Sequence, residues 1–338
     1  MEKIRLGKTN LMVSRSGFGA LPAQRVTFDE AAALFNRAID AGINFIDTAT
    51  GYTDSEEKIG YAVSNRRNDF YIATKTPAVV PDVFWKNLEL SLTRMKTDHI
   101  DVYQYHNPKT LPNDDMVGCM VRAKEQGKIL HIGITNHRRD VALAAAQSGV
   151  YETLQYPLSA LSDDSDLEVI RICKENNVGV IAMKALSGGL LNSAAPSMAI
   201  FRQYDNVIPI WGFQRLSEVD EVITLEKNPP ALDEKMLEVI AKAREELSGS
   251  FCRGCGYCMP CPVGIQISEC ARMPQLLRRG VWQSFTNERW QDEFKKVANC
   301  LNCGKCISKC PYELNTQELL KIAEADFWAF CKEKELVG

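Results

Sequence analysis

FDEAAALFNRAIDAGINFIDTA, residues 28–49, holds one complete helix-then-strand unit. Ala32, Phe35, Ala38 and Ile39 recur at helical spacing and fall on one face. Gly42 is a helix stop signal, and INFIDTA (43–49) follows as a β-branched and aromatic run.

The alternation extends in both directions. Strand-like runs are SRSGFGA (14–20), FYIATKT (70–76), DVYQYHN (101–107), ILHIGITN (129–136), TLQYPLS (153–159), GVIAMKA (179–185) and VIPIWGF (207–213). FWKNLELSLTRM (84–95) and DLEVIRICKENN (166–177) are amphipathic helices between them, and Gly149 and Asn177 are further stop signals. Eight strand–helix units in about 230 residues predict an α/β fold, a closed (β/α)8 TIM barrel. A doubly wound open sheet would announce itself with G-x-G-x-x-G after the first strand. Gly17-Phe18-Gly19-Ala20-Leu21-Pro22 lacks the third glycine.

A further helix, LDEKMLEVIAKAREEL (232–247), ends before Ser248-Gly249, where composition shifts to Cys, Gly and Pro. The barrel is therefore expected over residues 1–247 and a smaller domain over 248–338. With 45% hydrophobic and 25% charged residues, the chain has the composition of a globular protein. A formal net charge of −3 gives no reason to expect a nucleic-acid or membrane partner. The N-terminal residues lack a signal-peptide core and no stretch has bilayer length, so a cytoplasmic protein is expected.

Of the twelve cysteines, eight form two tight groups. The first is Cys252-Arg-Gly-Cys255-Gly-Tyr-Cys258-Met-Pro-Cys261-Pro262, the second Cys300-Leu-Asn-Cys303-Gly-Lys-Cys306-Ile-Ser-Lys-Cys310-Pro311. A disulfide framework would spread its cysteines through a small secreted chain. The second group has the C-x2-C-x2-C-x3-C-P spacing of bacterial ferredoxins, in which the fourth cysteine reaches the other cluster. By that logic Cys252, Cys255 and Cys258 pair with Cys310, and Cys300, Cys303 and Cys306 pair with Cys261. Two residues rather than three separate Cys258 from Cys261, so a single cluster on the second group is the alternative. Structural zinc prefers two separated C-x2-C pairs and fits poorly. MPQLLRRGVW (273–282) and NERWQDEFKKVAN (287–299) are helical in pattern, so a mostly α-helical, two-cluster 4Fe-4S domain is expected. Cys119, Cys173, Cys270 and Cys331 are expected to be buried fillers.

Barrel enzymes place their chemistry at the C-terminal ends of the strands. There the sequence offers Asp47, Tyr52, Lys75 and His106. A phenol with pKa near 10 is a poor acid at neutral pH, and a neighbouring ammonium lowers that value. A carboxylate holds the ammonium in place, and a neutral imidazole orients a carbonyl. The four together supply the parts for reducing a carbonyl by hydride.

On the segments GINFIDTATGYTDSEEKIGYAV, ATKT, DVYQYHNP, GITNH and LQYPLS, the first 230 residues resemble the aldo-keto reductases. With CGYCMPCP and CxxCGKC behind them, nearly the whole chain resembles a subgroup with a fused C-terminal ferredoxin-type domain. The resemblance implies NAD(P)-dependent interconversion of a carbonyl and an alcohol, with Tyr52 as general acid supported by Asp47, Lys75 and His106. It places Thr135, Asn136 and Gln155 on the nicotinamide carboxamide. Met183 and Lys184 stand where the family stacks an aromatic ring on the nicotinamide, and Gly188 follows them. Gln214 and Arg215 stand where the family clamps the adenosine 2′-phosphate, and Arg215 equally fits a solvated helix start. NADP and NAD both remain open. The clusters are expected to exchange electrons with a ferredoxin-like or other redox partner. The alternatives are purely structural clusters, or a nicotinamide-binding electron-transfer or sensor protein without turnover.

Overall fold

The computed structural model describes residues 1–247, 251–279 and 282–337. The boundary expected at 247–248 adjoins residues 248–250, and Gly280 and Val281 end the stretch 273–282. Residues 248–250, 280 and 281 lie outside the described residues.

Ten strands are assigned among the described residues: β1 (Lys3–Arg5), β2 (Met12–Ser14), β3 (Gly17–Gly19), β4 (Phe45–Asp47), β5 (Tyr71–Thr76), β6 (Ile100–His106), β7 (Ile129–Thr135), β8 (Thr153–Pro157), β9 (Gly179–Met183) and β10 (Val207–Gly212). β3 to β10 close into a barrel in chain order, every neighbouring pair parallel. Each of the eight expected runs coincides with one barrel strand, β6 beginning one residue before its run.

The helix of the opening unit spans Phe28–Asp40. Thr27 and Glu30 form a reciprocal capping box: the Glu30 amide donates to Thr27 Oγ1 at 3.3 Å, and the Thr27 amide donates to Glu30 Oε2 at 2.8 Å. Its buried face is Ala31, Leu34, Phe35, Ala38 and Ile39, while Ala32 is only half-buried. The apolar stripe is thus turned slightly from the one the spacing suggested. Gly42, Gly149 and Asn177 all have positive φ (94°, 76° and 53°), as helix stops do.

The antiparallel hairpin β1–β2 was not legible in the sequence, because each strand is only three residues long. Its Ile4 and Val13, with Leu6 between the strands, join Phe45, Ala73, Val102, Ile181, Ile208 and Ile210 in one buried cluster. Burying such side chains stabilises by about 1.5–3 kcal/mol each.

The chain divides into two compact units. The barrel comprises Met1–Leu186 and Ser193–Ile240. The second unit comprises Ala241–Gly338 and the short segment Ser187–Asn192. Among its described residues the second unit is helical, with helices at Ile267–Cys270, Met273–Arg279, Glu288–Val297, Lys305–Ser308 and Thr316–Glu333. Phe294 stacks on Phe327 at 4.1 Å between centroids, joining two of these helices. Cys119, Cys173, Cys270 and Cys331 are all fully buried, as apolar fillers are. No described helix is long and apolar enough to cross a membrane.

Candidate active site and cluster-binding segment

Asp47 is the last residue of β4, Lys75 is near the end of β5, and His106 is the last residue of β6. The Lys75 ammonium donates to Asp47 Oδ2 and to the Thr48 carbonyl, both at 2.6 Å. Asp47 is 2% and Lys75 1% exposed, so this ion pair is shielded from water. Two further donors complete the carboxylate: Gln104 Nε2 to Oδ1 and Gln155 Nε2 to Oδ2, each at 3.2 Å. Burial pushes the Asp47 carboxyl up and the Lys75 ammonium down. Their mutual charge and hydrogen bonding oppose this.

Gln104 was not anticipated. It lies two residues before His106 on β6, so the two share a face, and that is the signal that could have found it. Gly133 on β7 makes room for it: a Cβ there would come within 2.8 Å of Gln104 Cγ.

Tyr52 follows β4 and is half-buried. The Lys75 Nζ lies 5.0 Å from the Tyr52 ring centroid, and the His106 ring meets Tyr52 edge-on at 5.9 Å. Sequence reasoning expected the ammonium to lower the phenol's pKa. Instead burial raises it, and the negative charge of Asp47 raises it further. The physical reason is that the Lys75 charge is spent on Asp47 and Thr48. Burial, with the Lys75 charge adding to it, lowers His106 to about 3, so its imidazole is neutral. His137, also not anticipated, is 7% exposed. Burial holds it well below the usual imidazole range, with the charges of Lys184, His106 and Lys75 adding to the effect.

Of the remaining expected contacts, Thr135 pairs in register with both His106 and Gln155. The Thr135 hydroxyl points at Met183 Sδ, 3.9 Å away. Gln155 Oε1 is buried without a hydrogen-bond partner among the described residues. Asn136 ties the loop after β7 to the loop after β6, donating to the Pro108 carbonyl and accepting from the Arg138 amide, both at 2.8 Å. Lys184 follows β9 with φ 58°. Gly188 falls in the second unit. Arg215 is a helix-start residue: its side chain is 76% exposed and pairs with Glu218 at 2.6 Å. The Glu218 carboxylate also accepts the Gln214 and Arg215 amides, at 2.7 and 3.2 Å.

In the second unit, Cys252, Cys258 and Cys306 are buried, Cys255, Cys261, Cys300 and Cys310 are half-buried, and Cys303 is exposed. Cys258, Cys261, Cys300, Cys303 and Cys306 line one cavity. Cys252 lies within electrostatic reach of Cys255 and Cys310. Among the described residues, no three His, Cys, Asp or Glu side chains converge as ligands of one metal ion. A cubane gives each thiolate its own iron, so its ligands need not meet at a point. An all-thiol donor set suits that group.

A parallel eight-stranded barrel with a carboxylate, an ammonium, a phenol and an imidazole at adjacent strand ends defines a (β/α)8 oxidoreductase. Residues 16–203 match the model of the aldo/keto reductase family. The chain belongs to that family, and residues 251–315 match the 4Fe-4S dicluster domain, so the second unit is an iron–sulfur domain. An uncharacterised oxidoreductase of Bacillus subtilis is 27% identical over 255 residues, 71% of this chain and 83% of that protein. L-Galactose dehydrogenase of Arabidopsis thaliana is 31% identical over 214 residues, 56% of this chain and 67% of that protein. A crystal structure of a putative aldo-keto reductase from Pseudomonas aeruginosa superposes with a TM-score of 0.59 at 25% identity, covering 67% of this chain and 95% of that one. An aldo-keto reductase from Klebsiella pneumoniae, solved in complex with NADPH, superposes with a TM-score of 0.60 at 22% identity, covering 71% and 94%.

Proposed function

We propose that this chain interconverts a carbonyl and an alcohol with NAD(P)(H), and that its C-terminal unit carries two 4Fe-4S clusters that exchange electrons with a redox partner. The observation that carries the first part is the buried 2.6 Å Lys75–Asp47 pair beside the Tyr52 ring.

Tyr52 gives its proton to the carbonyl oxygen. The phenol is fully protonated beforehand, because burial and Asp47 both favour the neutral form. As negative charge grows on the oxygen, the Lys75 ammonium stabilises it and the phenol becomes the better donor. The neutral His106 orients the carbonyl without competing for the proton. A bound nicotinamide would supply the hydride to the carbonyl carbon. The orphaned Gln155 Oε1 is a buried acceptor suited to a carboxamide N–H, and the Thr135 hydroxyl is a donor suited to its oxygen. The cluster ligands are Cys252, Cys255, Cys258 and Cys310 for one cubane, and Cys300, Cys303, Cys306 and Cys261 for the other. The cavity that Cys261 shares with Cys300, Cys303 and Cys306 also takes in Cys258, so the exchange is supported by the ferredoxin-type spacing and by the electrostatic reach of Cys310 to Cys252.

The test has two arms. Consumption of NADH or NADPH is followed across aldehydes, ketones and quinones, and the function fails if no carbonyl is turned over. Anaerobically, the clusters are reduced with dithionite, excess reductant is removed, and an oxidised substrate or cofactor that binds the barrel is added as electron acceptor. Reoxidation that depends on the ligand supports electron exchange, and clusters indifferent to every ligand leave them structural.

A further inference from the structure

Arg272 sits in the second unit between two short helices. Its Nη1 donates to the Gly188 carbonyl at 2.5 Å. The same guanidinium lies against Gly254, inside the first cysteine group. A Cβ at position 254 would stand 2.6 Å from Arg272 Nη1 and 2.9 Å from its Cζ. Gly254 also has φ +61°, which side-chain-bearing residues rarely adopt. Glycine between Cys252 and Cys255 is therefore what lets a cation approach this loop.

The Arg272 Nε is buried with no hydrogen-bond partner among the described residues. A buried N–H normally has an acceptor, and a guanidinium has only donors to offer. Beside its backbone carbonyls, the first cysteine group brings thiolates to this loop, and a bound cluster would add sulfides. Cys252 is 6% exposed, so charge acts there through a poorly screening medium. Among the described residues, the one cation lining the cavity of Cys300, Cys303 and Cys306 is Lys305, which is exposed to water.

We propose that Arg272 raises the reduction potential of the cluster held by Cys252, Cys255 and Cys258, making it the more easily reduced of the two. Reduction adds one negative charge to an already anionic cluster. A fixed cation against the ligand loop, within electrostatic reach of Cys252 and with one N–H still unpaired among the described residues, stabilises that added charge. Arg272 is a positioning and tuning residue, and the proposal rests on the iron–sulfur assignment of this unit.

The test uses the full chain prepared anaerobically, with iron and sulfide analysis and a dithionite titration followed by electron paramagnetic resonance. In Arg272→Met, one of two one-electron waves moves to a more negative potential, the other stays, and iron and sulfide content is unchanged. Arg272→Lys, which keeps the charge but not the fork, moves the same wave less. Waves that stay put in Arg272→Met, or move together, overturn the proposal. Loss of iron in both variants also overturns it, since Arg272 would then fasten the loop. Wild-type protein lacking iron and sulfide would instead overturn the cluster assignment itself.

Discussion

The Lys75 ammonium meets the Asp47 carboxylate at 2.6 Å while standing 5.0 Å from the Tyr52 ring centroid. The charge that would sharpen the phenol as an acid is thus committed to a carboxylate in the resting site. A proton is held ready on Tyr52, and a growing negative charge on a substrate oxygen is what calls it out. This arrangement keeps an acid loaded at neutral pH where a phenolate would be useless as a donor.

The buried imidazoles set an acid limit on stability. Burial lowers His106 to about 3 and His137 well below its ordinary value, against about 6.5 in the unfolded chain. Below pH 6.5 the unfolded chain takes up protons that the folded one refuses. Stability is therefore full above 6.5 and falls as pH drops toward 5, by up to about 1.4 kcal/mol per pH unit for each imidazole. Asp47 and Glu56, raised by burial, act with the opposite sign, so the comparison is with His106→Asn. Denaturant midpoints of wild type should fall more steeply between pH 6.5 and 5 than those of the variant. Parallel slopes would mean that His106 titrates normally in the fold.

Glu218 should tune nucleotide choice. Its carboxylate pairs with Arg215 at 2.6 Å and caps the amides of Gln214 and Arg215. A 2′-phosphate bound by these groups has to displace it. Glu218→Gln should raise kcat/KM for NADPH relative to NADH by up to about fivefold, the worth of an exposed ion pair. An unchanged ratio would place the phosphate elsewhere or show that none is bound.

The barrel was legible because eight β-branched runs alternate with amphipathic helices, and each run coincides with a strand to within a residue or so. The acid–base residues were legible because strand ends in a barrel are where polar side chains have a use. Gln104 and His137 were not, since a lone Gln or His in a strand-and-loop pattern carries no chemical signature until the neighbouring strands are in register. The helix Thr316–Glu333 went unnoticed as well, although its buried Leu320, Ala323, Phe327 and Cys331 recur at spacings of three and four. The net direction of the Tyr52 shift depends on burial and on competition for one ammonium, which only packing reveals.

Cys261 lines a cavity with Cys258 of its own group and with Cys300, Cys303 and Cys306 of the second, and the ferredoxin-type exchange of fourth ligands assigns it to the second. Cys261→Ser should therefore damage the cluster of the second group more than that of the first. Resonance spectra of the variant with the second-group cluster intact would contradict the exchange of ligands.

Two cubanes require about eight iron and eight sulfide per chain in anaerobically prepared protein. Half that amount would support one cluster only. Stoichiometric zinc without sulfide, in protein made with iron and sulfide available, would exclude both.

The measurement closest to the central claim is the rate of carbonyl reduction by Tyr52→Phe against wild type, on a substrate the wild type turns over. Phenylalanine keeps the ring beside Lys75 and His106 and removes only the proton. The rate should fall about 10²–10⁴-fold, the usual contribution of a general acid, with nucleotide affinity almost unchanged. Wild-type turnover by the variant would show that another group delivers the proton, and the site built around Lys75 and Asp47 would need a different purpose.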